Sequence, residues 1–483
     1  MAPNPLFAPI AKHRVTESTP IREKDELDIE RCAALHNTLT LYSWVCSGRP
    51  IPSMKKQSWW SRHGSQPLEA IVQPEVKKYL SKIFDVEVSG HQSIFYHLTG
   101  LARPQQMFQL GDVLEDQEHD LGAVGGGEKY RFIVLYAASR ALVSHPAGLV
   151  YDQQKHRAIL MPTYHHIFDL YTADLPWQRL EVILSAYIDM IDAEKATAVP
   201  ESWHPDTLAA AAAAEAAIAR GDTHMTVRPS TKPWILQPYT LSDLNNCLDA
   251  WKRLIKAIEG RAGIERDAEA NVAPLCTRSA LDVAGIPKGF AYDLLLHAHS
   301  SEIWFVAPGI RLPKVEEFIH QPFRHILEEY PDETKEMKMP FLFMRCPGTV
   351  SAKEAKFRYP FSTVDSVPCG LYLDAFPNAQ NPFEDACRFV LPIRLGSNRY
   401  ARTSDFKPIR RSYCDLYQVD INPFVMRHGP KLVGVLENWA ENVENGHWEV
   451  NGKGVEGGVG VWRKADTRED WWRYQGGVRH LYL

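Results

Sequence analysis

The sequence predicts a mixed α/β protein: a largely helical N-terminal half, then a Rossmann-like α/β half with a mostly parallel sheet. Three observations carry this. After about residue 270, helical stretches alternate with short apolar runs ("EIWFVAPG", "MPFLFMRCPG", "GLYLDAF", "RFVLPIRLGS"), the pattern of strands covered by helices. Before that point, apolar residues mostly recur every three or four positions. The chain is 45% hydrophobic and 23% charged, a composition of ordinary globular domains, and at 483 residues it is long enough for two of them.

Residues 1–24 read as an extended arm rich in proline and polar residues. From Asp25 to Cys46, Leu27, Ile29, Leu35, Leu39 and Leu41 stand near helical spacing, and a Ser-Gly-Arg-Pro break follows. A basic, aromatic loop, "MKKQSWWSRHGS", leads to a short helix around Val76–Phe84. The glycine loop Gly122–Gly127 precedes a buried helix or strand. "LPWQRLEVILSAYIDMIDAEKA" is a helix with Pro176 at its start. Ala209–Ala214 continues as helix to Arg220, with Gly221 as its stop. Residues 222–240 read as a linker, after which Ser242 or Asp243 opens a helix that Gly260 ends.

The second half adds "SALDVAGIPKGFAYDLLLHAH" and "LPKVEEFIHQPFRHILEEY" as helices among the strands, and a last helix, "GPKLVGVLENWAENV". The expected division is an arm over 1–24, a mainly helical region over 25–260, and an α/β region with C-terminal helix and tail over 261–483.

Several chemistries are excluded. No run of eighteen apolar residues occurs, so no membrane span is expected, and the N-terminus lacks the pattern of a secretory signal. The eight cysteines form no C-x-x-C pair, so a disulfide framework and a zinc site are both unexpected and a cytoplasmic location fits better. In the glycine loop, Glu128 displaces the lysine of a phosphate loop and no Ser or Thr follows Lys129. His165, His166 and Asp169 sit among packing aromatics, and in "HPD" at 204–206 Asp206 reads as a helix cap, so no metal site is expected. "HAHSSE" precedes a strand instead of following one, there is no G-x-S-x-G elbow, and no dinucleotide fingerprint follows any candidate strand. No cofactor is expected.

Two features point to a partner. The stretch "LPIRLGSNRYARTSDFKPIRRSY" carries Arg394, Arg399, Arg402, Lys407, Arg410 and Arg411 against Asp405 alone, in a chain of net charge −5. Gly396 at the strand-to-loop junction would let backbone N–H groups approach a ligand, Ser397 would be presented there, and the cations would track a phosphate backbone. A second cluster, "KKQSWWSR", places Lys55, Lys56 and Arg62 beside Trp59 and Trp60, a pattern suited to stacking looped or single-stranded RNA. Either cluster alone reads as a solvated loop, with the tryptophans as core. Two together in an acidic chain point to a polyanion bound by local patches. "PDETKEMK" adds Asp332, Glu333 and Glu336, which share a helical face and either hold a cationic group, act as general base, or simply solvate a helix-to-strand turn.

The length, the α/β core, the acidic "DETKE" element and the tail "ENWAENVENGHWEVNGKGVEGGVGVWRKADTREDWW" resemble the fungal arginine-containing cyclodipeptide synthases. The family motif carries Asp at its second position, where this chain has Glu333. The resemblance implies a cytoplasmic enzyme of secondary metabolism with a Rossmann-like core. Its partners would be arginyl-tRNA and a second charged tRNA, and its product a 2,5-diketopiperazine. It also implies an acyl-carrying serine, for which Ser397 is the positional candidate, with Asp332, Glu333 and Glu336 holding the guanidinium or the attacking amine. Two other readings stand beside it: a terpene-like cyclase or isomerase, although "LEDQEHD" (Glu115, Asp116, Glu118 and Asp120) is the only acidic run near the helical half, and a non-catalytic RNA-binding protein. The second amino acid and the oligomeric state stay open.

Overall fold

The structure is a computed structural model of the chain. It describes residues 4–22, 24–86, 93–111, 130–139, 145–163, 170, 175–209, 231–264, 273–312, 314–329, 339–373, 381–419, 422–425 and 428–476. Two compact units emerge, one of residues 1–237 with 423–426, the other of 238–422 with 427–483. The expected boundary at 260/261 falls inside a continuous helix, Leu241–Ala262.

The first unit combines helices with a sheet that the sequence did not announce. Helices α1 (Ile29–Cys46), α2 (Trp59–His63), α3 (Pro74–Leu80) and α4 (Leu180–Asp192) accompany an antiparallel sheet in the order β1 (Leu98–Leu101), β2 (Phe132–Ala138), β3 (Pro146–Asp152), β4 (Arg157–Thr163). Strand β2 is buried over nearly its whole length, so its sequence, "FIVLYAA", shows no alternation and reads equally as buried helix. The α1 helix forms because Asp28 caps it through its carboxylate and Leu35 and Leu39 face the core. Pro176 does not open α4, which begins four residues later. Gln178 is first held in an extended bridge to Ala158. The N-terminal arm is packed, not free: Phe7 is buried, and Arg14 pairs with Asp189 and Asp192 on α4. A short antiparallel pair, β5 (Ala196–Ala198) and β6 (Trp234–Leu236), completes this unit.

In the second unit, α5 (Leu241–Ala262) starts at a reciprocal Thr240/Asp243 capping box and ends at Gly263 in the left-handed region. The two expected helices of the next stretches each break into two. Arg278–Ala284 and α6 (Phe290–His297) are separated by Gly285, and α7 (Val315–Phe318) and Arg324–Glu329 by Gln321-Pro322. The sheet runs β11 (Cys387–Val390), β10 (Ser366–Leu373), β9 (Phe341–Ser351), β8 (Ile310–Arg311), β7 (Phe305–Ala307), β13 (Gly454–Val455), β12 (Val450–Asn451). Five of its six pairings are antiparallel, and only β13 with β7 is parallel.

The expected mostly parallel sheet is thus corrected. This pairing is not the parallel one that a Rossmann-like core requires. The reason lies in the Pro-Gly pairs, which do not end strands at a common edge. Pro308-Gly309 turns the β7–β8 hairpin, and Pro347-Gly348 lies within β9, which runs on to Ser351. Helix α8 (Leu432–Glu444) packs along α5, and Arg253 donates from Nε and Nη2 to the Glu444 carboxylate across them. The tail supplies core instead of trailing: Trp448, Trp462 and Tyr474 are buried against Trp439 and Phe389, and the Trp462 indole donates to the Pro308 carbonyl at 2.8 Å.

Candidate functional site

The basic stretch folds back on itself. Strand β11 ends at Val390, because Pro392 follows and cannot donate to a ladder, so Gly396 and Ser397 lie beyond the sheet and not at its edge. Leu395 and Ser412 exchange both backbone hydrogen bonds (2.9 and 3.0 Å), and Ile409 donates to Ala401 at 3.0 Å. Gly396 sits at φ +87°, where a Cβ would come 2.0 Å from the Ile409 carbonyl oxygen, so only glycine fits.

The anion that this loop's amides await is internal. The buried Asp466 carboxylate accepts from the backbone N–H groups of Gly396 (3.1 Å), Asn398 (2.8 Å), Tyr400 (3.0 Å) and Ala401 (3.0 Å). The glycine serves the fold, through a nest already filled. Ser397 stands exposed on this pinned loop.

The six cations separate into two kinds. Arg394 is spent structurally, paired with Glu354 and lying 5.0 Å over the Tyr413 ring. Arg402 donates to the Arg399 and Ala401 carbonyls and lies 5.8 Å over Trp471. Lys407 is half-buried and also engaged. Arg399, Arg410 and Arg411 are exposed, and among the described residues no hydrogen bond or ion pair holds their guanidinium groups. Arg399 (φ 69°), Phe406 (φ 65°) and Arg411 (φ 48°) occupy the left-handed region, which costs about 1–3 kcal/mol at each bulky residue.

Sequence reasoning missed the aromatic component of this face. Tyr400 and Phe406 are exposed within the loop, and Trp471 packs beneath Arg402. Trp472, exposed beside it, lies under the Arg473 guanidinium. The signal was present in the alternation of Arg with Tyr and Phe, and in "DWWRY" of the tail, but nothing in the sequence joins two stretches so far apart along the chain.

The first basic cluster is different in kind. Trp59 is buried, and its indole donates to the Ala102 carbonyl at 2.9 Å, so it is core and not a stacking platform. Arg62 pairs with Asp85 at 3.3 Å, and the His63 ring lies 3.1 Å from the same carboxylate. Lys56 lies 5.6 Å over the Phe84 ring, and Lys55 is exposed. Asp332, Glu333 and Glu336 lie outside the described residues, as do the glycine loop at 122–127, His165, His166 and Asp169, and the 115–120 run. At "HPD" the cap is His204, whose ring accepts from the Asp206 N–H at 3.2 Å. No group of metal-ligating side chains is found among the described residues.

Two buried polar clusters were not foreseen. At the start of α8, the Lys431 ammonium lies 3.2 Å from Asp243 and 3.4 Å from Asp385, with His428 3.8 Å from Asp385, and it ties together the beginnings of α5, β11 and α8. In the first unit, Tyr136 hydroxyl lies between Tyr79 hydroxyl and His36 Nδ1, while His36 Nε2 faces the Phe84 carbonyl at 2.9 Å. That carbonyl can only accept, so Nε2 carries the proton. Burial lowers the His36 pKa to about 4, which keeps the ring neutral.

No family model, curated protein or solved structure matches the chain. No helix of the described residues is long and apolar enough to cross a membrane.

Proposed function

We propose that the chain is a cytoplasmic, tRNA-dependent cyclodipeptide synthase, with the 396–411 loop as the face that meets RNA. One observation supports the reading above others. Three arginines that no hydrogen bond or ion pair holds among the described residues, two of them on strained backbone, share one loop with an exposed serine in a protein of net charge −5. Strained outliers of this kind concentrate where the chain serves a ligand, and exposed arginines beside aromatic rings suit phosphates and unstacked bases.

In this reading the Ser397 hydroxyl attacks the ester carbonyl of arginyl-tRNA, and its proton passes to the departing ribose hydroxyl. The amine of a second aminoacyl-tRNA then attacks the arginyl-serine ester, forming the first amide as the Ser397 oxygen leaves and takes up the amine's proton. The second amide closes the ring and releases the remaining tRNA. The ester already present makes a nucleotide triphosphate unnecessary. Asp332, Glu333 and Glu336 would hold the arginine guanidinium or the attacking amine.

The test is incubation of purified protein with tRNA charged with labelled arginine and a pool of other aminoacyl-tRNAs. A labelled diketopiperazine, absent with Ser397→Ala or Glu336→Ala, is expected. The non-catalytic reading, carried by the same arginines, gives salt-sensitive RNA binding and no product.

A further inference from the structure

A cleft of about 250 Å³ opens in the second unit, away from the basic loop in sequence. Its walls come from Leu275 and Cys276, from Leu295 on α6, from the loop Ser300–Trp304, from Leu312 and Lys314 before α7, and from Phe318 and Phe343. The rim is held in place: Ser300 N–H donates to the Ala273 carbonyl (2.8 Å), the Trp251 indole to the His299 carbonyl (2.9 Å), and Ser301 hydroxyl to Glu259 (2.9 Å). Trp304, half in solvent, forms one wall, with the Lys314 ammonium 5.2 Å over its ring.

The charges are the informative part. Glu302 and Lys314 both line this cleft and both are exposed, yet among the described residues neither has an ion-pair partner, in the other or elsewhere. Two opposite charges without ion-pair partners on the lining of one largely apolar cleft suit a small molecule that carries both charges and an apolar group. The volume is below the roughly 300–1,000 Å³ of pockets for drug-sized ligands.

We propose that this cleft binds a free α-amino acid with an apolar side chain. The ammonium faces Glu302, the carboxylate faces Lys314, and the side chain rests on Leu295, Phe318 and Phe343. The inference does not depend on the tRNA reading, since an amino acid joined to tRNA has lost the carboxylate that Lys314 would hold.

The experiment is calorimetric titration of the full chain with L-leucine and L-phenylalanine, with L-arginine and L-aspartate as controls and phenylalanine methyl ester and phenethylamine as truncated probes. Saturable binding of the apolar amino acids is expected, at least tenfold tighter than the controls. Glu302→Gln and Lys314→Gln, both surface changes that leave the fold intact, should each weaken phenylalanine at least tenfold. Lys314→Gln should leave the affinity for phenethylamine unchanged. Absence of saturable binding up to about 10 mM, or full affinity in both variants, overturns the proposal. Methyl ester binding equal to that of the free acid overturns the zwitterion assignment.

Discussion

Removing the Asp466 carboxylate should release the basic loop. Its four N–H donors divide by environment: Asn398 and Tyr400 are exposed and water can replace the carboxylate, whereas Gly396 and Ala401 are buried. A buried donor left without an acceptor costs about 1–3 kcal/mol, so Asp466→Ala should destabilise the loop by about 4 kcal/mol. Asp466→Asn keeps an acceptor but loses the charge, and should cost about half as much, because charge-assisted bonds are roughly twice as strong as neutral ones. Hydrogen exchange followed by mass spectrometry reads this locally. At about 1.4 kcal/mol per tenfold, protection over residues 396–401 should fall nearly a thousandfold in Asp466→Ala. Residues 132–138 of β2 should keep theirs. If protection at 396–401 stays within tenfold of the parent, the claim that an internal anion holds this loop is wrong.

Further outcomes follow from the same structure. Replacing Arg399, Arg410 and Arg411 by Gln should flatten the dependence of log K on log salt for single-stranded RNA by about 0.7 for each phosphate no longer neutralised, read by fluorescence anisotropy, while Arg394→Gln should change it little. Trp59→Ala should cost about 3–5 kcal/mol in urea unfolding, as core aromatics do, and leave RNA affinity of the folded fraction unchanged. Stability should fall as pH drops from about 6.5 towards 4. The unfolded chain takes up a proton on His36 near pH 6.5, but the folded chain only near pH 4, a difference of about 3 kcal/mol at most. Fully buried His97, lowered to about 3, adds to the same trend, so His36→Gln should reduce the slope of urea midpoint against pH without abolishing it.

The sequence made the existence of α5 legible from its apolar spacing but not its ends: Thr240 caps it where Ser242 or Asp243 was expected, and it runs through Gly260 to stop at Gly263. Strands were legible in the second half as short apolar runs, although Pro347-Gly348, read as the end of one, lies within β9. The β1–β4 sheet was not, since β2 is buried on both faces and carries no period to read. Strand direction was illegible for a related reason: alternation of helix and strand implies crossovers only when each helix is long enough to span the sheet, and α7 is four residues.

At the site, charge density marked the 394–411 stretch as a loop of its own, but the placement of Gly396 and Ser397 at a sheet edge failed because β11 ends at Val390. The division of its cations into structural and exposed groups was not legible, because it depends on Glu354, Asp466 and Trp471, which chain folding brings from afar. The same holds for Trp59, whose neighbours in sequence are cationic but whose indole is spent on Ala102.

The most direct measurement is a mass spectrum of extracts from bacteria expressing the full chain, beside an empty-vector control, since the host supplies charged tRNAs. The account predicts an arginine-containing cyclic dipeptide that is lost in Glu336→Ala and in the Arg399, Arg410, Arg411 triple Gln protein, and abolished by ribonuclease in lysate. Abundant soluble protein with no new cyclic dipeptide would contradict it.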